Sequence, residues 1–240
     1  MTIASTFVLV HGAWHGGWCY ARVAKILRAR GHHVLTPTFT GLGERSHLHS
    51  PAINASTHVE DIVNLLRFEN LSDVVLVGHS YGGLITTKLA DLMPDRIRAL
   101  IYLDGYVGED GCSALDLDLP EASAFHLERA KANGGHTIPP VPASAFGVNA
   151  ADRPWVDSLC TPQSFATLAE RLTLTGRHRE IKARGYVLAT GWQGSPFPVI
   201  YDRISQQPGW RLKQFDCGHD VMLDMPQETA ALLEEWAVPA

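Results

Sequence analysis

Asp73-Val74-Val75-Leu76-Val77-Gly78-His79-Ser80-Tyr81-Gly82-Gly83 is the stretch that decides the fold. Residues 74–77 form an unbroken apolar run, three of the four β-branched, and so predict a strand buried on both faces. Gly78-His79-Ser80-Tyr81-Gly82 then fits G-x-S-x-G. Leu84, Ile85, Leu89 and Leu92 recur at helical spacing until Met93-Pro94 ends the run. Strand, one-residue elbow and helix are the surroundings in which this pattern carries a nucleophile. The reason is steric. Side chains at positions 78 and 82 would collide with neighbouring backbone, and Ser80 is left on a strained turn with its hydroxyl exposed. Without that context, a glycine-rich turn with an incidental serine would be the ordinary reading.

Upstream, Phe7-Val8-Leu9-Val10 predicts a buried strand that runs into the glycine-rich His11-Gly12-Ala13-Trp14-His15-Gly16-Gly17-Trp18. Val23, Ile26 and Leu27 mark an amphipathic helix that Gly31 ends. Residues 34–36 predict a short strand and residues 41–46 a polar loop, and Val59, Ile62, Val63 and Leu66 stripe a further helix. Downstream, strands are expected at 97–103, 186–189 and 210–215, with a helix near 199–205. A closing helix begins at Asp224-Met225-Pro226-Gln227, with Asp224 its expected cap and Leu232, Leu233 and Trp236 facing inward. Strands alternating with helices predict an α/β fold, a mainly parallel sheet covered on both faces, with its chemistry at the C-terminal strand ends.

From about 105 to 184 the pattern breaks. Strand-like runs vanish, Pro139, Pro140, Pro142 and Pro154 cluster, and short helices are expected around 121–133 and 163–172. This stretch is expected to be a helical lid inserted into a single domain spanning residues 1–240.

The totals exclude several classes of function. At 240 residues the chain can bury one substantial core, and a net charge of −5 argues against nucleic-acid or anionic-membrane partners. Cys19, Cys112, Cys160 and Cys217 are scattered, which points to free thiols in a reducing compartment. Met1-Thr2-Ile3-Ala4-Ser5-Thr6 has no basic run of the kind that opens a secretory signal, and no segment approaches membrane-spanning length. The expectation is a cytoplasmic protein with a small-molecule ester substrate, no nucleic-acid partner and no membrane partner; a homodimer stays open. No cofactor is expected, because neither Gly41-Leu42-Gly43 nor Gly82-Gly83 leads into the Gly-Lys-Ser/Thr ending of a phosphate loop. No metal is expected either. His32, His33, His47 and His49 lack a supporting carboxylate or cysteine pattern and read as solvated positions.

Serine is a poor nucleophile at neutral pH and needs a base within hydrogen-bond reach. Among twelve histidines, His219 lies in the loop between the last strand and the closing helix, at the same sheet edge as Ser80. His11, also at a strand end, is expected to brace the glycine-rich loop, and His79 to point away from its neighbour Ser80. An oxyanion hole needs two backbone N–H groups. Tyr81, opening the elbow helix, and Ala13, in the loop after the first strand, are the expected donors.

These residues resemble the α/β-hydrolase fold, and within it the small plant methylesterase and hydroxynitrile lyase branch with its bacterial esterase relatives. The resemblance rests on Val10 to Trp18 and Val77 to Gly83. It is close over residues 5–105 and 185–237 and loose across the expected lid. It implies that Ser80 is the nucleophile, His219 the base, and Ala13 and Tyr81 the oxyanion donors, in a serine esterase working through an acyl-enzyme. Amide or lactone hydrolysis, a cyanohydrin-cleaving lyase and a silent ligand-binding protein are the alternatives. Lyases of this branch resemble one another in a threonine after the first-strand histidine and a lysine after the catalytic histidine. Here those positions hold Gly12 and Asp220, which favours hydrolysis.

The chain departs from the branch at the triad acid. Where the acid usually follows the strand at 186–189, the sequence reads Thr190-Gly191-Trp192-Gln193-Gly194. The base still needs a carboxylate on its far nitrogen. Asp104, closing the strand after the elbow helix, is expected to supply it, as in similar dehalogenases and lipases. Asp216 is the rival; Asp202 is expected within a helix, and Asp220 would have to fold back on its own backbone. Phe125, Phe146, Trp155 and Phe165 could line an apolar substrate pocket or simply pack the lid.

Overall fold

The computed structural model describes residues 4–238, so that Met1-Thr2-Ile3, part of the start read as lacking a secretory signal, lie outside the described residues. Among the described residues there are eight strands: β1 (Thr6–Val10), β2 (His33–Leu35), β3 (Val74–Ser80), β4 (Ile97–Gly105), β5 (Thr137–Ile138), β6 (Gln163–Ser164), β7 (Ala183–Ala189) and β8 (Trp210–Phe215). Six of them form one sheet in the order β2-β1-β3-β4-β7-β8, with every pairing parallel. The α/β architecture with a parallel sheet is as the alternating pattern predicts.

Successive residues of a strand face opposite sides of its sheet, and the core divides accordingly. Val8, Val10 and Leu76 pack on one side against Ile62 and Leu66 of α2 (Ala55–Phe68) and Leu84 of α3 (Tyr81–Leu92). Phe7, Leu9, Val75 and Val77 pack on the other against Val23 and Leu27 of α1 (Ala21–Ala29) and the closing helix (Pro226–Trp236). The β3 run from Val74 to Val77 is fully buried, which is why it reads as continuous rather than alternating.

Register positions the site. Val10 of β1 pairs with Gly78, so the loop after β1 starts beside the elbow. Ser80 pairs with Gly105 of β4 after a register shift between His79 and Ser80. Ala189 of β7 pairs with Phe215 of β8, bringing the loop that carries His219 to the same edge.

Between β4 and β7 lie α4 (Ala114–Leu117), α5 (Pro120–Ala132), α6 (Arg153–Leu159) and α7 (Phe165–Ala169). This crossover segment differs from expectation in containing a ribbon. β5 and β6 pair antiparallel, two residues each, too short to leave a periodic signature in the sequence. Three other expectations need correction. The loop at 41–46 tightens into a 3₁₀ turn, Gly43–Leu48. His32 is buried, its Nε2 2.9 Å from Glu234 Oε1 and its Nδ1 accepting from the Ser5 N–H, although it was read as solvated. Asp224 does not cap the closing helix. A short α9 (Val221–Asp224) precedes it, Met225 occupies the cap position of α10 (Pro226–Trp236), and Asp224 accepts hydrogen bonds from Gly218 N–H and Asn149 Nδ2–H instead. Asp224 thereby ties the crossover segment to the loop before His219, a long-range role invisible to local capping rules. Among the described residues no helix is long and apolar enough to cross a membrane, and Cys19, Cys112, Cys160 and Cys217 are free.

Candidate active site

The elbow is as tight as its glycines imply. A Cβ on Gly78 would stand 2.8 Å from the Gly82 carbonyl, and one on Gly82 would stand 2.8 Å from that of Val10. Ser80 pays for this geometry with φ 52° and ψ −126°, a region that L-residues rarely adopt. Asp104 (φ 43°) and Trp14 (φ 62°) also have positive φ. Each such residue costs roughly 1–3 kcal/mol. All three lie in or beside one site, where the parallel strands end.

His219 meets Asp104 there. Its Nδ1 is 2.7 Å from Asp104 Oδ2, and Asp104 Oδ1 accepts the Ala189 N–H at 3.0 Å. The Asp104 carboxylate is fully buried, and burial pushes its pKa up while the Ala189 N–H pulls it back. Asp216, the sequence-level rival, is exposed, and Asp202 sits on the exposed side of α8 (Phe197–Ser205). Burial also holds the His219 imidazole down to about 4, and so neutral at pH 7. With Nδ1 committed to Asp104, Nε2 is the nitrogen left for a substrate or a nucleophile. The His219 N–H donates to the Phe146 carbonyl at 2.9 Å, and its ring lies against Trp192 (4.5 Å), Phe197 (5.3 Å, parallel) and Phe146 (5.6 Å).

Ser80, His219, Ala13 and Tyr81 line one cavity of about 80 Å³. The Tyr81 N–H opens α3 and has no intrahelical acceptor. The peptide after Ala13 is clamped from both ends: Trp14 N–H donates to Gln163 Oε1 at 2.8 Å, and the Ala13 carbonyl faces His15 Nδ1 at 2.7 Å. His11 braces the same loop, with Nδ1 2.8 Å from the Gly12 carbonyl and Nε2 accepting the Phe39 N–H; burial lowers its pKa to about 3.

Of the four crossover aromatics singled out in the sequence, Phe146 alone lines the cavity. Phe125 and Trp155 are exposed, and Trp155 packs under the Arg22 guanidinium. The remaining walls are residues that the sequence did not mark: Trp14, Tyr106, Trp192 and Phe197, with Asp118 and His126 as the polar members. Trp192 belongs to the stretch that lacks an acid; its ring covers His219 while Gln193 is exposed.

Sequence reasoning also missed a buried cluster behind His219. His79 turns to the back of the site, but its Nε2 lies 3.1 Å from the His219 carbonyl and its ring 4.4 Å from that of His219. Asp220 is fully buried, with Oδ2 3.1 Å from His15 Nε2 and Oδ1 3.6 Å from His79 Nε2. His79, His219 and Asp220 have ligating atoms within 4.8 Å of one another. Asp220 Oδ2, His79 Nε2 and His219 Nδ1 are hydrogen-bonded to His15, the His219 carbonyl and Asp104, whereas Asp220 Oδ1 and His79 Nδ1 are buried without a hydrogen-bond partner. The one signal available in the sequence was the presence of His15, His79 and Asp220 inside or next to the motifs themselves.

The sequence model of the alpha/beta hydrolase family matches residues 7–232. The chain belongs to that family. Among alpha/beta hydrolases it is 45% identical over 238 residues to a carbendazim hydrolyzing esterase of Nocardioides sp. (strain SG-4G), covering 95% of this chain and 98% of that protein. It is 34% identical over 103 residues to methylesterase 2 of Arabidopsis thaliana, covering 42% of this chain and 39% of the relative. An extracellular alpha/beta hydrolase from a Paenibacillus species superposes with a TM-score of 0.85 at 23% identity, covering 96% of this chain and 98% of that one. At that identity the superposition speaks for the fold alone.

Proposed function

We propose that this alpha/beta hydrolase cleaves carboxylic esters of small molecules through an acyl-enzyme, with Ser80 as nucleophile, His219 as base and Asp104 as its partner. The observation that carries the reading is the 2.7 Å contact between His219 Nδ1 and a buried Asp104 at the edge of the cavity that Ser80 also lines. Ser80 Oγ attacks the ester carbonyl and His219 Nε2 takes its proton. The oxyanion receives hydrogen bonds from the N–H groups of Ala13 and Tyr81. Collapse breaks the C–O bond, and the leaving alkoxide takes the proton from His219 and departs as the alcohol. Water, deprotonated by the same nitrogen, then hydrolyses the acyl-enzyme and releases the acid.

Hydrolysis is favoured over the lyase alternative by a steric fact. A Cβ at Gly12 would stand 2.9 Å from both His79 Nδ1 and Ser80 Cβ, so the threonine found there in lyases of this branch has no room. Asp220, where those lyases carry a lysine, is buried against His15. The segment from about 105 to 184 serves in this reading as a lid, and it contributes Phe146 and Leu168 to the cavity wall. The free cysteines support work in a reducing compartment, the cytoplasm, on a small-molecule substrate.

Carbendazim and methyl esters, named for the relatives, are the first substrates to try beside 4-nitrophenyl acetate. Intact-mass analysis during turnover should show an acyl adduct on Ser80, absent in Ser80→Ala. Substantial ester hydrolysis by pure, folded Ser80→Ala would end the proposal.

A further inference from the structure

The residues behind the catalytic base share a buried proton whose place follows from their contacts and charges. His15 Nδ1 faces the Ala13 carbonyl at 2.7 Å and His15 Nε2 faces Asp220 Oδ2 at 3.1 Å. A carbonyl oxygen cannot donate, so Nδ1 carries a proton. Burial works against the charge of Asp220, but His15 beside it holds the carboxyl well below the usual carboxylate range; ionised, it cannot donate either, so Nε2 carries one as well. Both side chains are shut off from water, His15 at 3% exposure and Asp220 at 0%. They therefore form a buried imidazolium–carboxylate pair. The two partners come from different loops: His15 from the one that carries Ala13, Asp220 from the position directly after His219.

We propose that His15 and Asp220 are positioning residues: their buried ion pair fastens the oxyanion loop to the loop carrying the base and holds both in register across the cavity. The inference rests on the esterase reading above. Each end of the bridge acts through a defined contact. On one side, the imidazolium holds the Ala13 carbonyl while Gln163 holds the next N–H, which fixes the peptide plane following Ala13. On the other, Asp220 fixes the backbone next to His219, whose own carbonyl receives the His79 Nε2–H. Isolated buried charges are costly, so such a pair persists only as a unit.

Charge accounting around His219 gives a test that mere packing would not pass. Asp220 raises the basicity of His219 and His15 lowers it, so the two partners act on the base in opposite directions. The other titratable groups facing the pair are neutral at pH 7. Burial lowers His11 to about 3 and His79 well below its ordinary value, and pushes the Tyr20 hydroxyl and the Cys19, Cys160 and Cys217 thiols up. Asp104 faces His219 from the opposite side; burial raises its pKa, the Ala189 N–H lowers it and the Asp220 charge raises it further, so the double variant serves as the control for its response.

The experiment is the pH profile of kcat/KM for 4-nitrophenyl acetate in wild type, His15→Gln, Asp220→Asn and the double variant. Removing His15 leaves the Asp220 carboxylate uncompensated beside the base, so the acid limb should move to higher pH, by on the order of one unit. Asp220→Asn should move it to lower pH. Adding Asp220→Asn to His15→Gln should reverse the upward shift. In both single variants kcat should fall about 10-fold or more, with KM changed less than about 3-fold, because misaligned oxyanion donors act on the transition state. Coincident acid limbs in all four proteins, or movement in one direction only, would overturn the proposal. Side-chain ¹⁵N NMR supplies a readout independent of turnover. His15 should titrate above an ordinary histidine in wild type and lose that elevation in Asp220→Asn; a wild-type His15 titrating near 6.5 also overturns it. Activity retained in Ser80→Ala would instead sink the parent reading, whatever the pair does.

Discussion

His219 and Asp104, 115 positions apart in the chain, face each other at 2.7 Å, the one from the loop after β8 and the other from the end of β4, while the other Asp104 oxygen takes the Ala189 N–H. The carboxylate thus holds the imidazole and the end of β7 at once. Asp104→Asn keeps the shape and loses the acceptor that fixes the His219 tautomer. It should remain folded and lose turnover by on the order of 10⁴-fold, while Asp216→Asn stays near wild type. Steady-state ester hydrolysis on circular-dichroism-matched samples checks this; the reverse ranking would move the role to Asp216.

Burial lowers the His219 pKa to about 4. The base works when neutral, so the acid limb of kcat/KM should lie below 6.5, the ordinary value for a histidine. A wild-type limb at or above 6.5 would contradict the depressed value.

Strain and chemistry separate at Ser80. Ser80→Ala keeps the positive φ and loses the nucleophile, whereas Ser80→Gly loses the nucleophile and relaxes the backbone. Both should be inactive, and Ser80→Gly should be more stable than Ser80→Ala by about 1 kcal/mol in urea denaturation. Equal midpoints would mean that the elbow is not strained.

Gly12→Thr should not create a lyase. Its Cβ alone meets His79 Nδ1 and Ser80 Cβ at 2.9 Å, so ester turnover should fall at least about 100-fold with no gain of cyanohydrin cleavage. Gly12→Ala should already show most of the loss. Cyanide release by the threonine variant would refute this.

Acid should destabilise the fold before the carboxylates titrate. His11 and His58 are buried, with folded values of about 3 and about 4 against about 6.5 when unfolded. Below pH 6.5 the unfolded chain binds protons that the folded one refuses. The stability present above that pH is lost as pH falls toward 4, by roughly 1.4 kcal/mol per histidine per pH unit crossed. Urea midpoints at pH 7.0 and 4.5 measure it. His58→Gln should show a shallower slope, and a midpoint that stays flat over this range would exclude the effect.

The fold was legible because its strands are buried on both faces and therefore written as continuous apolar runs. The elbow was legible because close backbone approach leaves glycine no substitute. That Ser80, Asp104 and His219 share one edge of the sheet was legible because the first two close strands and the third lies in the loop just after the last strand. Asp220 was dismissed for a local reason, poor geometry toward its neighbour His219, and that reason holds; its true partner, His15, is 205 positions away. Asp224 was misread in the same manner, its capping chemistry spent on Gly218 and Asn149 rather than on the helix that follows. Carboxylates with distant partners leave no spacing to detect, and the two-residue strands of the β5–β6 ribbon leave no period.

The stitching of the crossover segment to the base loop has an evolutionary corollary. Phe146 accepts the His219 N–H, and Asn149 donates to Asp224, so the half of the segment near 143–160 cannot drift without dragging the base. Helix α5, by contrast, buries only Ala130 in thirteen residues, yet carries His126 to the cavity wall. Substrate range in this lineage should therefore diversify by rewriting α5, where a new side chain meets the ligand at little cost to stability. The stitched half should change slowly, in step with the residues around His219.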